Sequence, residues 1–362
     1  NLALMDSSGT LTIPDGVTKI GNGAFANLSG LKTIIIPGTV KEIGTNAFTN
    51  NTDLTKVVLQ EGIEIIGNEA FKECDNLTTI ELTESLTSIG SNAFEGCTKL
   101  DNVIIPSQIT VIEGATFYGC SNLTTIKLPE NLQSIKDYAF TSCICLDNVY
   151  ISKNVNSISN SAFSNCTNLA NIEISNENTK YSYSKGNGML MDLENNNILF
   201  VSGEVLNNIT TFSIPEGITN FNANIGSYTN ITKIVIPQSL EKMGSANTFP
   251  VSISSVEITG GNTNFVVENE CLYNEDKTEL IMCFTKEREV DLADEVTTIK
   301  SYSFKQATNI EDVNFDGNIT KIENQVFEWS QNSKIQSVYI GAGVTNINPI
   351  FKYGNYYGIV TV

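Results

Sequence analysis

One phrase of 23 residues recurs without a gap through the first half of the chain, and no other feature restricts the fold so strongly. "LKTIIIPGTVKEIGTNAFTNNTD" (31–53) is followed by "LTKVVLQEGIEIIGNEAFKECDN" (54–76) and "LTTIELTESLTSIGSNAFEGCTK" (77–99). "LDNVIIPSQITVIEGATFYGCSN" (100–122), "LTTIKLPENLQSIKDYAFTSCIC" (123–145) and "LDNVYISKNVNSISNSAFSNCTN" (146–168) complete the series. A shorter opening coil, "LTIPDGVTKIGNGAFANLSG", occupies 11–30. Six copies in one register describe a single supersecondary unit, stacked on itself.

Each copy has a physical reading. Positions 1, 4 and 6 (Leu77, Ile80, Leu82) are apolar, with the alternation of a short half-buried strand. Proline at position 7 (Pro37, Pro106, Pro129) closes that strand, because it has no N–H to donate. Leu86 and Ile89 turn inward on a second extended stretch. Gly90, like Gly21, Gly44 and Gly67, suits a turn with positive φ, although Glu113, Lys136 and Ser159 in the same slot show that the need is not strict. "NAF" reads as a brief helical turn that drives its Phe into the core. One unit cannot bury its own apolar face; stacked units can, as a parallel sheet with about 4.8 Å between neighbours. Phe25, Phe48, Phe71, Phe94, Phe117, Phe140 and Phe163 then form an internal aromatic column.

After residue 168 the register loosens but survives in "LANIEIS", "ITTFSIP", "ITKIVIP", "ISSVEIT", "IEDVNFD" and "IQSVYIG". "REVDLADEVTTIKSYSF" (288–304) is a further coil, with Phe304 in the plug position and Phe327 and Phe351 after it. Two similar segments, 178–200 and 262–284, interrupt the rhythm and read as β-hairpins. The expected organisation is one domain over 1–362. Regular repeats fill 1–177, a hairpin insertion 178–203, irregular repeats 204–261, a second insertion 262–287 and C-terminal repeats 288–362. About fourteen coils at strand spacing give a stack roughly 65 Å long.

The consensus "LTTIxIPxxVTxIGxxAFxxCxN" resembles the BspA-type leucine-rich repeat of surface proteins from gut and oral bacteria and some parasitic protists, over nearly the whole chain. The hairpin insertions also resemble ones found between repeats of that family. The resemblance implies a leucine-rich-repeat solenoid, α/β but mostly β, built as a curved right-handed stack. It also implies display at the cell surface or outside the cell, and adhesive or matrix-binding roles. It does not imply one ligand, since the motif specifies the scaffold and leaves the surface free.

Composition narrows the function. Acidic residues outnumber basic ones 40 to 21, for a formal charge of −19. Nucleic-acid binding rests on clustered Lys and Arg, so it is excluded as an expectation. Histidine is absent, which removes imidazole bases and ligands. No stretch approaches the ~20 apolar residues of a membrane span, so no direct membrane insertion is expected. The chain begins at Asn1 rather than Met, and a leader or upstream region is expected to have been removed.

Cys74, Cys97, Cys120, Cys143 and Cys166 stand 23 residues apart, each three after its Phe. The same slot holds Leu28, Asn51, Ala307, Ser330 and Gly354, so it asks for small size rather than a thiolate. Zinc needs about four convergent ligands, whereas these side chains run parallel, and parallel Cβ vectors make poor disulfides. Buried free thiols are expected. Cys145 points elsewhere. Cys271 and Cys283 lie on opposite arms of the second hairpin as cross-strand neighbours, open to a disulfide, with plain packing favoured.

The triplets at Asn76, Asn122, Asn208, Asn230 and Asn318 have the form of glycosylation sites but follow from repeat arithmetic. "DLENNN" and "NEDKTE" lack calcium-loop spacing, and nothing in the sequence shows Asp291 and Asp294 facing a shared cleft, so a solvated surface is expected of them. No metal, cofactor or catalytic residue is expected, and the chain does not read as an enzyme. Freedom lies at strand position 5, which points outward: Ile35, Val58, Ile104, Lys127, Tyr150, Val235 and Tyr339 are the candidate ligand-binding residues. The bland account is that sheet faces favour β-branched and aromatic residues anyway. The expected function is adhesion or protein interaction, with a host, matrix or neighbouring-cell protein or glycan as partner and the chain itself a monomer. The alternative is a non-binding spacer in a larger surface protein.

Overall fold

The computed structural model describes residues 5–328, 330–351 and 360–361. The chain is a parallel-sheet solenoid of about 15 turns with almost no helix, close to the expected fourteen. Its contacts divide into two compact units: 1–194 with 199–205, and 195–198 with 206–362. The division falls at the first insertion.

In the first unit every coil contributes two short strands. Thr33–Ile36 pairs in parallel with Lys56–Leu59, setting Ile34 opposite Val57 and Ile35 opposite Val58. Asn102–Ile104, Thr125–Lys127, Asn148–Ile151 and Asn171–Ile174 form a second ladder of the same kind. The two-residue strands, such as Glu42–Ile43 and Ile65–Ile66, build a separate sheet. Strand positions 3 and 5 face out and 4 and 6 in, so Ile34, Ile36, Val57, Ile80 and Val103 are buried. Each coil alone leaves this apolar face exposed; the neighbouring coil removes it from water.

The aromatic column forms as expected. Adjacent rings from Phe25 to Phe163 stack 5.3–5.6 Å apart with interplanar angles of 1–9°. It ends at the first insertion, where Phe200 meets Phe163 edge-on at 6.4 Å.

The segment carrying each Phe is not the helical turn its sequence suggests. Residues two before and two after the Phe have positive φ: Asn46 and Asn50 around Phe48, Asn92 and Gly96 around Phe94, Tyr138 and Ser142 around Phe140. Alternate amides therefore point along the stack, and Asn46, Phe48 and Asn50 donate to the carbonyls of Asn68, Ala70 and Lys72 in the next coil at 2.7–2.9 Å. A third hydrogen-bonded ladder results, and it satisfies backbone groups that a helix would have paired internally. Gly44 and Gly67, each four residues before its Phe, have a different role from the one expected. No positive φ occurs at Gly44 or Gly67. A Cβ there would sit 2.6–2.9 Å from backbone and side-chain atoms of the preceding coil, so close approach selects glycine.

The expected hairpins are more elaborate. In the first, Tyr181–Ser184 runs antiparallel to Met189–Asp192. In the second unit, Phe265–Glu268, Cys271–Asn274 and Glu279–Cys283 form a three-stranded antiparallel meander. Its last strand turns parallel to Thr298–Ile299 and so becomes part of the repeat ladder. The stack resumes across this insertion through two buried polar side chains. Lys305 Nζ donates to the carbonyls of Asn247 and Phe249 at 2.9 and 3.4 Å, and Gln306 Nε2 to that of Ala246 at 2.9 Å.

Candidate functional site

The cysteine row has the strongest periodicity, and its chemistry is structural. Each sulfur donates to the carbonyl of the Phe in the preceding coil: Cys74 to Phe48, Cys97 to Phe71, Cys120 to Phe94, Cys143 to Phe117 and Cys166 to Phe140, at 3.0–3.3 Å. Burial pushes the thiols of Cys74 and Cys166 up to about 12, and the three between them well above the ordinary value. A thiol held neutral is a poor nucleophile and a poor metal ligand. Among the described residues no group of three or more Cys, Asp or Glu is placed to hold a metal, and all eight cysteines are free.

The slot asks for more than small size. Asn51, fully buried, donates through Nδ2 to the carbonyls of Phe25 and Phe48 and accepts through Oδ1 from the N–H of Leu28. It thus makes the bond that a cysteine makes elsewhere, to the Phe carbonyl of the preceding coil, and two more. In the longer C-terminal coil, Ser330 is exposed and Asn332 fills the slot, bonding to the carbonyls of Phe304 and Ala307. Gly354 lies outside the described residues.

Other sequence signals also resolve into scaffold. Asn76, Asn230 and Asn318 use their side-chain amides to bond carbonyls of the preceding coil. Asp192 and Asp276 accept from amides within their own turns. Asp291 and Asp294 line an open trough with Asp316, and all three are exposed.

The outward strand positions remain. Ile35 and Val58 are half-buried neighbours on adjacent strands, flanked by exposed Glu81. Ile104 is 61% exposed and Tyr150 38%. With Lys127, directly opposite Ile104 in the ladder, they border a shallow trough of about 580 Å³. This trough unites three of the seven candidates. In the second unit, Val235 is half-buried between Ser213 and Glu257, and Tyr339 is 43% exposed opposite Asn314.

Position 3 supplies residues that attention to position 5 overlooks. Asn102, Thr125 and Asn148 are register partners on the same face, and all line the trough. The two-residue period of a strand is the signal that finds them. Several other bases of this unit meet a carboxylate, as Lys19 meets Glu42 at 2.8 Å and Lys72 meets Glu95 at 3.0 Å. Lys127 has no such partner among the described residues. The trough therefore offers an apolar anchor, an aromatic face, a free ammonium and a row of amide and hydroxyl groups on a rigid ladder.

The model for the BspA type leucine rich repeat region matches residues 5–124, 87–187, 204–279 and 277–356. The chain belongs to the BspA-type leucine-rich-repeat family. Solved structures of similar fold include a leucine rich cell surface protein of Faecalibacterium prausnitzii (TM-score 0.63, 23% identity, covering 100% of this chain and 95% of that one). A leucine-rich repeat protein of Bacteroides ovatus aligns with TM-score 0.51 and 21% identity, over 93% and 82% of the two chains. The pneumococcal vaccine antigen PcpA aligns with TM-score 0.51 and 15% identity, over 97% and 76%. At these identities the likeness is one of fold. No curated protein matches the chain in sequence. Among the described residues no helix is long and apolar enough to cross a membrane.

Proposed function

We propose that this BspA-type solenoid is an interaction module of the cell surface or extracellular space, and that it docks a host, matrix or neighbouring-cell protein through the trough bordered by Ile104, Lys127 and Tyr150. The observation that carries the reading is that trough itself. Three consecutive outward residues there are Ile, Lys and Tyr, and the isoleucine is left 61% exposed beside an unpaired lysine. Large exposed apolar groups next to polar ones mark docking surfaces, and aromatic anchors dominate their energetics. The ladder holds these groups at fixed spacing, which lowers the ordering cost of binding. Ile35 and Val58, separated from the trough by Glu81, are proposed with Val235 and Tyr339 as secondary contacts, and a monomer as the acting form.

The test is binding of the immobilised chain to purified matrix proteins and mucins, with Ile104→Asp, Lys127→Glu and Tyr150→Ala as variants. The reading expects each to weaken binding tenfold or more at unchanged thermal stability. A spacer role predicts no partner at all, and unaltered binding after all three changes overturns the site.

A further inference from the structure

Cys271 and Cys283 are register partners on adjacent antiparallel strands of the second meander, and both are fully buried. In such a ladder hydrogen-bonded and non-hydrogen-bonded pairs alternate, and the latter bring side chains closer, with Cα atoms about 4.5 Å apart. The Cys283 N–H donates to the carbonyl of Ser303 at 2.6 Å, and the next amide, Phe284, to Glu270 at 2.9 Å. The two cysteines are therefore a non-hydrogen-bonded pair, and their separation falls in the range a disulfide spans. Cys271, Cys283 and Tyr273 belong to the same buried cluster. The cysteines of the repeat row differ, because each of those sulfurs already donates to a backbone carbonyl.

We infer that Cys271 and Cys283 are a disulfide site, closed by a small-molecule disulfide, and that the other six cysteines are not. In the first step a Cys271 thiolate attacks one sulfur of the oxidant, forming a mixed disulfide and expelling one small thiolate. Cys283 then attacks the protein sulfur of that mixed disulfide, forms the Cys271–Cys283 bond and expels nothing but the second small thiolate. The protein pair loses two electrons and two protons, and the oxidant becomes two thiols. Burial raises the Cys271 thiol, so the step requires local opening or occurs as the chain folds. The bond would tie the meander's central strand, Cys271–Asn274, to its last, Glu279–Cys283, which itself pairs with Thr298–Ile299 of the repeat ladder. The inference is independent of the docking reading.

The experiment uses the full chain and glutathione disulfide. The reduced protein is exposed to glutathione disulfide both in its native state and during refolding from urea, then denatured, alkylated and mapped by mass spectrometry. The expected result is two fewer alkylated cysteines than the eight of the reduced chain, with one linked peptide pair containing Cys271 and Cys283. Cys271→Ser and Cys283→Ala variants should lose no thiols under the same treatment. Full alkylation in both arms, a bond within the Cys74–Cys166 row, or loss of two thiols from either variant overturns the inference.

Discussion

At Cys97 a single sulfur donates to one backbone group, the carbonyl of Phe71 in the preceding coil. Asn51 serves three backbone groups, the carbonyls of Phe25 and Phe48 and the N–H of Leu28. Leaving a buried polar group unpaired costs about 1–3 kcal/mol. Asn51→Ala is therefore expected to destabilise more than Cys120→Ala, and urea unfolding of the two variants measures the difference. Equal losses would mean that the slot is filled for volume alone. The periodicity of cysteine was legible in the sequence, and so was its burial. The hydrogen bonds were not, because nothing in a sequence shows that the coil before the slot leaves a carbonyl aimed at it. Asn332 illustrates the same limit: two extra residues in its coil displace the slot from Ser330, and only the packed structure shows which side chain fills it.

Along an element, the same groups act together. Phe94 is fully buried between Phe71 and Phe117, with ring centroids 5.6 and 5.5 Å away. Phe94→Ala opens a hole in a continuous column and should cost about 3–5 kcal/mol, read as a lowered midpoint in urea. The thiol column gives a pH signature. Its folded-state thiols are raised above the unfolded value of about 8.5, to about 12 at Cys74 and Cys166. A raised group contributes stability that is intact below its unfolded pKa and is lost as pH climbs through the folded one. Stability should thus fall between about pH 8.5 and 12, and a variant with Cys97, Cys120 and Cys143 all changed to Ala should show a shallower fall from its own lower starting point. Parallel slopes in the two proteins would contradict the assignment. Strand positions and the Phe column follow from apolar spacing and were readable. The left-handed residues flanking each Phe were not, since Glu69, Ala115 and Tyr138 carry no glycine-like signal for positive φ. The inter-coil ladder imposes that conformation.

For the molecule as a whole, repetition and function occupy different residues. The buried positions repeat because each coil must present to the next what it receives from the last. The outward positions are released from that requirement, and at Ile104, Lys127 and Tyr150 three of them in succession border one trough. Position 5 was legible as the outward face, yet which of its seven members share one depression was not. That grouping depends on side-chain size in three consecutive strands and on the amide and hydroxyl row of Asn102, Thr125 and Asn148 beside them. The most direct measurement is the affinity of the chain for a panel of purified matrix proteins and mucins, compared with that of an Ile104→Asp/Lys127→Glu/Tyr150→Ala variant, each with its thermal midpoint. The predicted result is a wild-type partner in the panel, bound at least tenfold more weakly by the variant, at closely matched midpoints. A variant that binds as the wild type does, or a wild type that binds nothing, contradicts docking through this trough.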